Sequence, residues 1–269
     1  MTKSSHPIGI FDSGIGGLTV ARAVKTLLPN ESIIYFGDTA HLPYGDKSTA
    51  AIQSYSIKIC DHFLKSECKV ILIACNSASA AANDLVTEYV GSKAKVFNVI
   101  DPVVNFIREN YAELCVGLIG TKRTVSSQVY KNKIDALSNN IDFKSLATPL
   151  LVPMIEEGFL KGNISDDIIS EYLNNENLKN ISSLILGCTH YPLIKSNIEQ
   201  FYEGSIDILD SSEIVAKSLK AYLEYNLLDN QKGPSTYKFM VSDFTEEFES
   251  LTKLFFGENV KLDQYPLWE

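Results

Sequence analysis

Short, unbroken apolar runs recur along this chain, and each closes on small or polar residues. Residues 7–11 end on Asp12-Ser13, 32–36 on Gly37-Asp38-Thr39, 70–74 on Cys75-Asn76-Ser77 and 96–100 on Asp101-Pro102. Residues 115–119 run into Gly120-Thr121, 184–186 into Gly187-Cys188-Thr189-His190, and 237–241 forms a last run. Successive strand residues point to opposite faces, so a strand apolar throughout must be buried on both. Helical spacing fills the intervals: Leu18, Val20, Ala21 and Val24 share one face until Pro29-Asn30 stops the segment, and a second helix spans about 48–64. Strand and helix in alternation predict an α/β fold with mostly parallel sheets covered on both sides. Loops are expected at Asn30, 139–140, 174–177 and 229–235.

Composition narrows the function. The 269 residues are 45% hydrophobic, enough for a full core, and a net charge of -9 disfavours a nucleic-acid partner, which needs a basic surface. No window approaches the ~18 apolar residues of a membrane span, and the N-terminal segment lacks a secretory apolar stretch. The five cysteines, Cys60, Cys68, Cys75, Cys115 and Cys188, form no CxxC pair. A reducing, cytoplasmic setting without disulfides is expected.

In open α/β sheets ligands bind beyond the carboxyl ends of the strands, where all these polar clusters fall. Cys60, Cys68 and Cys115 sit within or beside regular elements and read as small core hydrophobes. Cys75 and Cys188 differ, because each closes a strand and precedes hydrogen-bonding residues. Their segments share one grammar, which is either a pseudo-repeat of two halves or a chance likeness between parallel strands. A zinc site lacks further ligands at a recognisable spacing, and a single catalytic thiol paired with His190 would leave the other idle. Two thiols on opposite sides of one substrate suit proton removal from one face and delivery to the other, the demand of a racemase. The turn Gly14-Ile15-Gly16-Gly17 fails the GxGxxG spacing, and no Walker lysine follows. It reads as a tight turn that lets backbone N–H groups approach an anionic substrate.

Six blocks, in order, resemble the glutamate racemases of the aspartate/glutamate racemase family. They are residues 9–18 with Asp12-Ser13; 35–45 with Asp38-Thr39 and Pro43-Tyr44-Gly45; 74–79 with Cys75-Asn76-Ser77; Gly120-Thr121 with Thr124; 152–158 with Glu156; and Gly187-Cys188-Thr189-His190-Tyr191-Pro192. The resemblance implies two pseudo-symmetric α/β domains, residues 1–98 with 208–269 and residues 99–207, with the site in the cleft between them. It implies a cofactor-independent, metal-free enzyme that interconverts L- and D-glutamate for peptidoglycan synthesis, as a homodimer with no nucleic-acid or membrane partner. Cys75 would take the α-proton of D-glutamate while Cys188 protonates the other face, and the roles reverse for L-glutamate. Asp12 would assist Cys75, and His190 and Glu156 would assist Cys188. Ser13, Pro43, Tyr44, Gly45, Asn76, Ser77, Thr121, Thr124 and Thr189 match substrate-holding positions. An aspartate racemase, or an inactive amino-acid-binding protein on the same fold, is the alternative.

Three residues depart from the family pattern. Ser77 replaces a common threonine and keeps the hydroxyl, His41 stands where arginine is frequent, and Arg123 stands where glycine is frequent. A thiol near its ordinary pKa of about 8.5 is scarcely ionised at neutral pH, so nearby donors must favour the thiolate, or it forms only as the proton leaves.

Overall fold

The computed structural model describes residues 3–137, 139–231 and 234–269. Its strands in chain order are β1 (Ile8–Asp12), β2 (Ile33–Gly37), β3 (Val70–Ile73), β4 (Lys95–Asn98) and β5 (Cys115–Gly120). They continue with β6 (Asp142–Ala147), β7 (Ser183–Gly187), β8 (Asp207–Asp210), β9 (Tyr237–Val241) and β10 (Asp263–Gln264). Two sheets result, ordered β10-β9-β2-β1-β3-β4 and β6-β5-β7-β8, and every pairing between described residues is parallel.

The order β2-β1-β3-β4 in the first sheet repeats as β6-β5-β7-β8 in the second. Under that correspondence β3 matches β7, the strands that end at Cys75 and Cys188. The shared grammar of the two segments is therefore a repeat of position in the fold. Residues beyond β8 return to the first sheet, where β9 lies between β2 and β10. The expected boundary at 207/208 falls inside β8, which pairs with β7.

The apolar runs are buried on both faces. In β1, Ile8 and Ile10 enter the large core while Phe11 enters a second cluster on the opposite face. In β3, Val70 and Leu72 go one way and Ile71 and Ile73 the other. Burial of a side chain such as these is worth about 1.5–3 kcal/mol, so the central strands are strongly held. The helices Leu18–Leu27 and Thr49–Lys65 form close to the expected spans, and Ser48 caps the second through its Oγ on the Ala51 N–H.

The segment expected as a strand over 96–100 pairs only as β4, one residue early and two short, because Asn98 Oδ1 turns to accept from the Ile100 and Asp101 N–H groups. Of the expected 229–235 loop, residues 232 and 233 lie outside the described residues. No helix among the described residues is long and apolar enough to cross a membrane.

Candidate active site

A cavity of about 370 Å³ opens between the carboxyl ends of the two sheets. Ser13 lines it from the end of β1, Cys75, Asn76 and Ser77 from the end of β3, and Thr121 from the end of β5. Cys188, Thr189 and His190 line it from the end of β7, Pro43, Tyr44 and Gly45 from a loop after β2, and Glu156 from the helix Leu151–Glu156. Two of the residues picked out in the sequence, Asp12 and Thr124, lie buried outside this lining.

Cys75 is the N-cap of the helix Asn76–Val90, and its Sγ accepts the Ala78 N–H at 3.5 Å. The Cys75 thiol also faces Ser13 Oγ at 3.8 Å. Burial, reinforced by the negative charge of Asp12, pushes the Cys75 pKa up to about 12 against the pull of these two contacts. Asp12 Oδ2 accepts from the N–H groups of Gly14 and Gly17 at 3.1 and 3.0 Å, while Oδ1 is buried with no hydrogen-bond partner. Burial raises the Asp12 pKa in spite of those donors and the nearby His190 charge.

The Cys188 side has the opposite polarity. His190 Nδ1 lies 3.8 Å from Cys188 Sγ, and Nε2 lies 3.0 Å from Glu156 Oε1. Burial disfavours the imidazolium, but the hydrogen bonds and charges of Cys188 and Glu156 outweigh it and raise the His190 pKa to about 10. A protonated ring would donate from both nitrogens, one toward the sulfur and one toward the carboxylate. Phe255 packs edge-on against the ring at 5.0 Å. Glu156 ends its helix, so affinity for the positive end of a helix dipole does not account for it.

Between the thiols the wall is polar. Asn76 Oδ1 accepts the Tyr130 hydroxyl at 2.9 Å, which leaves its Nδ2 buried without a protein partner. Thr121 Oγ1 bonds Ser77 Oγ at 2.9 Å, joining the two halves, and Thr124 Oγ1 at 3.1 Å; it also accepts the Thr124 N–H at 3.2 Å. Thr124 therefore positions Thr121 from behind. Gly16 brings the first turn against the other half: a Cβ there would sit 2.3 Å from His190 Cε1 and 2.7 Å from Thr189 Oγ1. The turn's glycines thus allow close approach to the other half, while the Gly14 and Gly17 N–H groups, expected to face an anionic substrate, are taken up by Asp12.

The departures from the family pattern are also placed. His41 Nδ1 lies 3.0 Å from both oxygens of Asp38, and its ring stacks on Tyr55, outside the cavity lining. Arg123 Nη2 donates to the Lys47 carbonyl, tying the helix Lys122–Ser126 to the loop that carries Tyr44. Sequence reasoning missed Phe248 and Lys122, which also line the cavity. Phe248 comes from the helix Glu246–Phe256, where no local motif marks it and only apolar helical spacing gave a signal. Among the described residues no group of three His, Cys, Asp or Glu side chains is placed to hold a metal ion.

Residues 18–219 match the family model for Asp/Glu/hydantoin racemases. A glutamate racemase of Chlorobaculum parvum is 40% identical over 256 residues, covering 95% of this chain and 94% of that one. The crystal structure of a Francisella tularensis glutamate racemase in complex with D-glutamate superposes with a TM-score of 0.91 at 39% identity, covering 98% of this chain and 99% of that chain. A Thermus thermophilus glutamate racemase in complex with β-chloro-D-alanine gives a TM-score of 0.87 at 36% identity, covering 97% of each chain.

Proposed function

The chain belongs to the Asp/Glu/hydantoin racemase family, and from that premise we propose that it interconverts L- and D-glutamate with two opposed thiols and no cofactor. It is an isomerase acting on glutamate. One observation carries the two-thiol reading: Cys75 and Cys188, from equivalent strand ends of two like sheets, line a single cavity.

For L-glutamate, the Cys188 thiolate takes the α-proton while the Cys75 thiol gives its own to the opposite face. The C–H bond breaks toward one sulfur, the new C–H bond forms from the other, and the charge has moved from Cys188 to Cys75. The free protein suits this direction, because burial keeps Cys75 protonated and the His190 imidazolium faces Cys188. For D-glutamate Cys75 must first give up its proton, and Asp12, with its raised pKa, is the acceptor that serves it. The α-proton is barely acidic, so donors must stabilise negative charge as it develops on the substrate carboxylate. The free Asn76 amide and the hydroxyls of Ser13, Ser77, Thr121 and Thr189 fill that role, with Pro43, Tyr44 and Gly45 closing the side. The two sheets with their helices then act as two units supplying one thiol each. We further read the product as feeding peptidoglycan synthesis in the cytoplasm, from a homodimer with no nucleic-acid or membrane partner. The acidic net charge of -9 agrees with the last point.

The test is purified protein without added cofactor, given L-glutamate and separately L-aspartate in D₂O. Loss of optical rotation with deuterium at the α-carbon of inverted glutamate is expected. Cys75→Ser and Cys188→Ser should each lower the rate in both directions by roughly 10³-fold. Ordinary activity in either variant defeats the two-thiol assignment, and inversion of aspartate alone moves the substrate.

A further inference from the structure

Asp38, just past β2, is fully buried and takes no part in the proton transfers above. It accepts from the Tyr44 hydroxyl at 2.6 Å, from Ser242 Oγ at 2.8 Å and from Trp268 Nε1 at 2.9 Å. Tyr44 alone of these donors lines the cavity. Trp268 is the only tryptophan of the chain and its penultimate residue. The tail reaches it in defined steps. β10 adds to β9, Tyr265 packs on His62 at 4.4 Å and edge-on against Phe36, and the Trp268 ring meets His41 edge-on at 4.5 Å.

We propose that Trp268 is a positioning residue for the substrate-holding arm Pro43-Tyr44-Gly45, acting through Asp38. A carboxylate offers about four lone-pair directions. Ser242 and Trp268 donate to Oδ1, the Tyr44 hydroxyl donates to Oδ2, and His41 Nδ1 lies 3.0 Å from both oxygens. Removing the indole N–H takes one donor from Oδ1 in a buried site; His41 Nδ1, shared between the two oxygens, is drawn toward Oδ1, and the carboxylate shifts against the Tyr44 hydroxyl. The arm tolerates little drift, because a Cβ on Gly45 would already stand 3.3 Å from Thr121 Cβ across the cavity. The arm binds substrate and carries no proton, so its displacement weakens ground state and transition state alike and shows in KM.

This inference rests on reading the cavity as a glutamate site. The experiment is steady-state glutamate racemisation by the full chain as wild type, Trp268→Phe, Tyr44→Phe and the double variant. Phenylalanine keeps a ring against His41 and deletes the donor, together with part of the ring that meets Tyr55 and Lys58. Trp268→Phe should raise KM about tenfold with kcat changed less than about twofold. Adding it to Tyr44→Phe should raise KM less than about twofold further, because the link is already cut. A KM unchanged in Trp268→Phe, or KM effects that multiply independently in the double variant, overturns the positioning role. If Trp268→Phe does not fold, Ser242→Ala removes another Oδ1 donor and must show the same KM rise and the same non-additivity. Wild-type protein that does not racemise glutamate defeats the underlying reading instead, so the two failures are told apart.

Discussion

At the scale of single residues, the site holds charge where burial opposes it, and that has measurable costs. Asp12 Oδ1 is buried without a partner, and its raised pKa means the folded state binds the proton more tightly than the unfolded chain. Stability from this group is therefore greatest at low pH and declines as pH rises through its folded pKa. Asp12→Asn removes the buried charge and keeps an oxygen for the Gly14 and Gly17 N–H groups. Its Tm should rise by about 2–4 °C while kcat falls on the order of 100-fold, read by calorimetry and by optical rotation. His190 follows the same sign but titrates above neutrality. With its pKa raised from an ordinary 6.5 to about 10, it contributes stability fully present below 6.5 and lost as pH rises through about 10. Glu156→Gln removes one of the partners that hold the imidazolium. Denaturant midpoints measured across that range should show the loss beginning at lower pH in the variant.

At the scale of elements, the strand ends and their turns place the chemistry. The turn between β1 and the helix Leu18–Leu27 fits against His190 only because residue 16 has no side chain. Gly16→Ala is expected to cost about 1–3 kcal/mol in urea unfolding and to lower kcat at least tenfold, because the turn or the imidazole must move. A variant with full activity would show the contact to be compliant. The central strands were legible in the sequence because burial on both faces writes an unbroken apolar run. β6, β8 and β10 were not. β6 and β10 stand at sheet edges, and β8 closes the second sheet with its first two residues incompletely buried, so none carries that run. Polar residues such as Asp142, Lys144 and Ser145 in β6 are permitted by partial exposure, and they erase the periodic signal.

At the scale of the whole molecule, the chain is tied together by contacts between residues far apart in sequence. Lys69 Nζ reaches Glu31 Oε2 at 2.5 Å, the Ser4 carbonyl at 2.6 Å and the Leu228 carbonyl at 2.8 Å, and the ion pair is almost wholly buried. Burial lowers the Lys69 pKa even so, and removal of the cation strands the Glu31 carboxylate. Lys69→Met should lose about 3–5 kcal/mol in urea unfolding while KM for glutamate stays unchanged, since the pair lies outside the cavity lining. What the sequence by itself determined was the α/β class, the central strands and the polar residues waiting at their ends, because burial and turn chemistry act locally on the chain. The ordered motif blocks also carried the family. Only the tertiary structure decided that Cys75 and Cys188 share one cavity, that Asp12 and Thr124 stand behind it, and that His190 lies between a thiol and a carboxylate. It alone brought Phe248 and Trp268 back to the site. Those facts depend on how two sheets face each other and on where a late segment returns, and such long-range geometry leaves no periodicity in the residues that it joins.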